Sequence, residues 1–191
     1  GQESVAIGEA YQANALEKSN EQQAMSRAAL TVSALHANVT QALFNRHQKI
    51  FSGRYPDNFD GLVPEFAKTI DEMTSKAVEE TNSPKARQYI QVQMAHIRDN
   101  VVLPKTLQTE ATAREALTGY NMTGMVANSA QIADTSPDTY PVLRESVTSA
   151  IRDSGLPLDK QNILAHHALA ELPKAALTAQ VGYPALDLRG V

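Results

Sequence analysis

His166 and His167, followed by Glu171, form the one cluster in this chain with ligand chemistry. His167 and Glu171 stand four apart, so on a helix they share a face and could hold two corners of a zinc or iron site. A catalytic site needs at least a third protein ligand, and the sequence offers none nearby. The reading is a solvated histidine pair beside a helix interface, with no metal expected. His36, His47 and His96 stand alone within helical stretches and read as structural residues. Glu9, Glu17, Glu79 and Glu80 read as members of solvated helix faces without the paired geometry of general acid and base work. No nucleophile, base and orienting group come together, so the chain is not expected to be an enzyme, and no catalytic, cofactor-binding or metal residue is assigned.

Two further features have a chemical reading and a structural one. Glu3-Ser4 has the form of the pair that opens the catalytic motif of lytic transglycosylases, but no Gly-Leu-Met-Gln stretch follows. A catalytic acid also needs an apolar pocket to raise its pKa, which the segment from Gly1 to Gly8 does not supply. Gly119 and Gly124, in Gly-Tyr-Asn-Met-Thr-Gly, would suit a ligand loop, yet a phosphate loop needs a preceding strand and a placed lysine. Close packing against the alanine-rich first helix is the expectation there.

The elements that must carry these residues are helical. Across 191 residues the chain is 42% hydrophobic, has a net charge of −4 and is only 5% aromatic, with no Trp. Alanine fills many apolar positions; it favours helix and permits close approach while burying little area, which points to a thin, elongated core. With no cysteine, disulfides and thiolate metal sites are excluded. No apolar run approaches the ~20 residues that span a bilayer. Mild acidity without a Lys/Arg run gives no footprint for nucleic acid. The chain begins at Gly1 rather than Met and stops just after Asp187-Leu188-Arg189-Gly190, so a piece of a larger parent protein is expected.

Ser83-Pro84 opens the organising element, a helical spine to Asp134. Ser83 can accept bonds from first-turn amides, and Pro84 needs no donor there. Tyr89, Ile90, Met94, Ile97 and Val101 make one apolar stripe, resumed after Pro104 by Leu107, Ala111, Leu117, Tyr120, Met125 and Val126. Pro104 removes a helical bond and disfavours helix at Leu103, so a kink or break is expected, used as a built-in bend; a new helix after a short turn is the alternative. Ala111, Ala113 and Ala116 give a small-residue face for close approach. Before the spine, residues 4–47 read as one long helix or two collinear ones, carrying Val5, Tyr11, Leu16, Met25, Ala29, Val32, Leu35, Val39 and Leu43, with fraying up to Gly8. Phe51–Asn58 is a loop. A helix capped by Asp60 follows to Asn82, packed as a hairpin on the spine. After Asp134–Pro137 come a helix to Ser154 with Gly155 as a left-handed stop, and a last helix capped by Asp159, running through Val181 and kinked at Pro173. The expected fold is all-α, an elongated multi-helix bundle around a long kinked central helix. It is taken as a single helical domain (1–50 long helix; 59–134 hairpin with spine; 137–191 helical pair), although the length also allows two small domains sharing a spine.

Several helix-boundary segments share a pattern beyond this chain. They are Phe59-Asp60-Gly61-Leu62, Ser83-Pro84-Lys85-Ala86-Arg87, the spine with His96 near its middle, Ala127-Asn128-Ser129-Ala130, the turn from Asp134 to Tyr140, and Ile151-Arg152-Asp153-Ser154-Gly155-Leu156-Pro157. In this order they resemble a helical region of large bacteriophage internal virion proteins of the ejection type. Pro173 and Tyr183-Pro184 depart from that pattern. The resemblance implies a structural role in assembly or genome delivery inside the virion, with self-association or other virion proteins as partners. It carries over no functional residue and no cofactor. The alternative is a non-phage helical binding or sensor module.

Overall fold

The computed structural model describes residues 1–187, with side chains described to residue 180. Among these residues every regular element is helical: α1 (Gln2–Ile50), α2 (Leu62–Glu79), α3 (Pro84–Ile97), a π-helical segment (Arg98–Val102), α4 (Leu103–Thr135), a 3-10 turn (Pro137–Thr139), α5 (Tyr140–Arg152) and α6 (Leu158–Asp187). The all-α, multi-helix expectation holds, and no strand occurs among the described residues. Val181 and the predicted end of the last segment at 188–191 lie outside the described side chains. The chain divides into two compact units. One comprises Gly1–Gly53 and Asp57–Ala111; the other comprises Arg54–Pro56 and the described chain from Thr112 onward.

In the first unit α3 is the centre, packed on both α1 and α2. Its register follows from its start: Ser83 has extended backbone, its hydroxyl accepts from Ala86 N–H at 3.3 Å, and Pro84 occupies the first turn. Ala86, Ile90, Met94 and Ile97 are then buried at three- and four-residue steps. α1 meets them with Ala28, Val32, Val39 and Leu43, and α2 contributes Leu62, Phe66, Ile70 and Ala77. The ion pairs around this core, Arg46 with Glu65 at 3.2 Å and Lys85 with Glu21 at 3.0 Å, are partly solvated, so each contributes ~1 kcal/mol or less.

The start of α2 differs from expectation. Gly61, at φ 76°, occupies the cap position rather than Asp60, and the Leu62 N–H donates to Glu110 Oε1 from α4 at 2.6 Å. A residue far along the chain supplies the acceptor that a local side chain was expected to provide. Asp159 likewise lies in the first turn of α6, which starts at Leu158, instead of preceding it.

The spine also departs from expectation, and for one cause. The backbone does not break at Pro104: Leu103 stays helical at φ −64°, ψ −42°, and its N–H reaches back five residues to Arg98 O. A π-turn holds one extra residue per turn, which widens the helix ahead of the proline ring and spares it the clash that an α-turn would impose. The extra residue also rephases everything beyond it. Val102 and Thr106 are buried where Val101 and Leu107 were expected, and both of the latter are exposed. Uninterrupted α-helix from Ile90, Met94 and Ile97 would have brought Lys105 and Gln108 onto the packed side; the π-turn leaves both in solvent.

The second unit has its own core, in which Val126 of α4, Val147 and Ile151 of α5, and Ala168 and Leu172 of α6 are buried together, with Met122, Met125, Tyr140 and Leu164 packed against them. Gly155 takes φ 77° after α5, the left-handed conformation expected for the stop. The Leu156 N–H then donates to Ser154 Oγ, and Leu156 O accepts from the Gln161 side chain, which fixes the connection into α6. Lys160 pairs with Glu115 of α4. α6 runs as one helix through Pro173.

Candidate interaction surface

Each residue with a chemical reading has a definite place. His166 and His167 are exposed and Glu171 half-buried on α6, and no group of three His, Cys, Asp or Glu residues among those described is arranged to hold a metal. His47 packs its ring against Phe51 at 4.7 Å, next to the end of α1. The ring of His96 lies 3.0 Å from the Asn100 side-chain nitrogen, and its carbonyl accepts from the same group. His36 gives its carbonyl to the Thr40 hydroxyl. Glu3, Ser4, Glu9 and Glu17 lie exposed on α1, and Glu79 and Glu80 are exposed at the end of α2.

Gly119 and Gly124 correct an expectation. A Cβ built on either meets nothing within 4 Å, so neither marks a close helix crossing. Of the predicted small-residue face, Ala113 is fully buried whereas Ala111 and Ala116 are exposed.

A cleft of about 300 Å³ lies between α1 and the α2–α3 turn, lined by Arg27, Thr31, Glu80, Asn82 and Ser83 among others. Its hydroxyls are partly engaged already: Thr81 Oγ1 donates to Ala77 O, and Ser83 Oγ caps α3. The arrangement serves the turn and presents no nucleophile beside a base.

The first stretch of α1 is uncovered. From Glu21 onward α1 is packed, beginning where Lys85 at the start of α3 meets Glu21. Over residues 2–20 it remains helical, yet every side chain is exposed. Among them are Val5 at 61%, Ile7 at 71%, Tyr11 at 77% and Leu16 at 63%. These residues continue a formed helix for about 28 Å at ~1.5 Å per residue. At about 100° per residue Ile7 and Tyr11 lie on one side of this helix and Val5 and Leu16 roughly 150° round from them, so the arm carries two narrow apolar strips open to cover by other protein. Sequence periodicity found the helix but could not show which of its apolar residues the fold would leave uncovered.

Among the described residues no helix is long and apolar enough to cross a membrane. No family model, curated protein or solved structure matches the chain.

Proposed function

We propose that this chain is a non-enzymatic helical assembly segment of a bacteriophage internal virion protein of the ejection type, acting in the interior of the particle. The observation that carries the assembly role is the α1 stretch at residues 2–20, which is helical and leaves Val5, Ile7, Tyr11 and Leu16 without cover from the rest of the described chain. A helical arm with Val5, Ile7, Tyr11 and Leu16 in water gains free energy when a partner helix covers it, at roughly 25 cal/mol per Å² of apolar surface removed. The virion setting rests on the resemblance of the helix-boundary segments from Phe59 to Pro157.

The test is location. Mass spectrometry of purified particles should find peptides of this chain, and protease should spare them until the particle is opened. Absence from particles, or recovery with the host envelope, would overturn the virion reading in favour of a helical binding or sensor module.

A further inference from the structure

We infer that the cleft between α1 and the α2–α3 turn binds a small zwitterion, an α-amino acid with an aliphatic side chain. The inference is independent of the assembly reading and concerns a different part of the first unit. At about 300 Å³ the cleft lies at the small end of the ~300–1,000 Å³ of ligand pockets, which limits the size of its occupant. Its floor is alanine: Ala28 of α1 and Ala77 of α2 are buried, and Ala24 is half-buried beside them. Methyl groups leave room above them for an aliphatic side chain and offer it apolar contact.

The rim carries one charge of each sign. Arg27 stands on α1 and Glu80 at the end of α2, and neither side chain has an ion-pair or hydrogen-bond partner among the described residues. Other charges at this end of the unit are committed elsewhere: Lys85 pairs with Glu21 at 3.0 Å, and the Arg87 guanidinium donates to Thr81 O. A guanidinium and a carboxylate that line one cleft without bonding to each other suit a ligand bearing both a carboxylate and an ammonium. Arg27 would donate to the carboxylate through its fork of N–H groups, and Glu80 would accept from the ammonium. The helix ends give the cleft the same polarity, since α2 finishes at Glu80 and α3 begins after Ser83. The Thr31 hydroxyl and the Asn82 amide also line the cleft without a side-chain partner among the described residues. Arg27 and Glu80 are exposed, so the ion pairs they form with a ligand are partly solvated and binding should be weak, with dissociation in the millimolar range.

In NMR titrations of the 191-residue chain, L-leucine should shift the backbone amide signals of Ala24, Thr31 and Asn82 together and to saturation. Leucinamide, which lacks the carboxylate, and N-acetyl-leucine, which lacks the ammonium, should each bind about fivefold more weakly, the scale of one partly solvated ion pair. Arg27→Gln should lower the affinity for L-leucine to that for leucinamide and leave leucinamide binding unchanged. Glu80→Gln should do the same with N-acetyl-leucine. Both residues are exposed, so either variant should keep the fold, which the unshifted remainder of its spectrum checks. Ala24→Leu, which fills the cleft, should weaken all three probes. The inference is overturned by the absence of a saturable shift with L-leucine, by leucinamide binding as tightly as L-leucine, or by an Arg27→Gln chain that loses all three probes alike.

Discussion

The carboxylate of Glu110 holds the backbone N–H of Leu62 at 2.6 Å, so the first turn of α2 is capped by a residue of α4. Gly61 provides the left-handed bend but has no side chain to accept a bond. Removing the acceptor leaves a partly buried donor without its partner. Glu110→Ala should cost about 1 kcal/mol, within the ~0.5–2 kcal/mol range of helix caps, and Glu110→Gln should cost less because an amide oxygen can still accept. Urea denaturation of the two variants against wild type checks the order.

The π-turn makes a different prediction from a simple proline bend. Register beyond residue 102 is pinned by burial of Val102 and Thr106 as well as by Pro104, and slipping back to α would draw Lys105 and Gln108 onto the packed side. In a Pro104→Ala chain, thiol labelling should still find Val101→Cys fast and Val102→Cys slow. A slow Val101→Cys and a fast Val102→Cys would mean that the proline alone maintains the register.

Gly119 and Gly124 weaken α4 without serving a contact. Because an added methyl meets nothing at either site, Gly119→Ala and Gly124→Ala should each stabilise by about 0.5–1 kcal/mol, and the pair should add approximately. Thermal melts read the effect. A loss of stability at either position would reveal a close approach that the structure lacks.

What the sequence makes legible follows from the range of the forces involved. Ser83-Pro84 announces the start of α3 because its cap and its proline act within one turn, and the Ala86, Ile90, Met94 and Ile97 stripe follows from that start. Glu110 could not be read as the cap of α2, since its partner is distant in sequence and Asp60 stood closer. Val101 falls one residue short of the buried Val102 because a stripe extended at constant period cannot register one inserted π-turn, and Leu107 answers to apolarity alone where the shifted register buries Thr106. The candidate surface was half legible: Val5, Tyr11 and Leu16 were visible as apolar members of a long helix, and only the positions of α2 and α3 along α1 leave them uncovered.

The central claim is that the α1 arm at residues 2–20 joins this protein to its assembly. The most direct measurement is incorporation of a Val5→Asp, Tyr11→Asp, Leu16→Asp chain into particles, scored beside its circular dichroism and melting temperature. All three side chains are exposed, so the helical signal and the melt should stay close to wild type while incorporation falls to background. Wild-type incorporation of that folded variant would contradict the account.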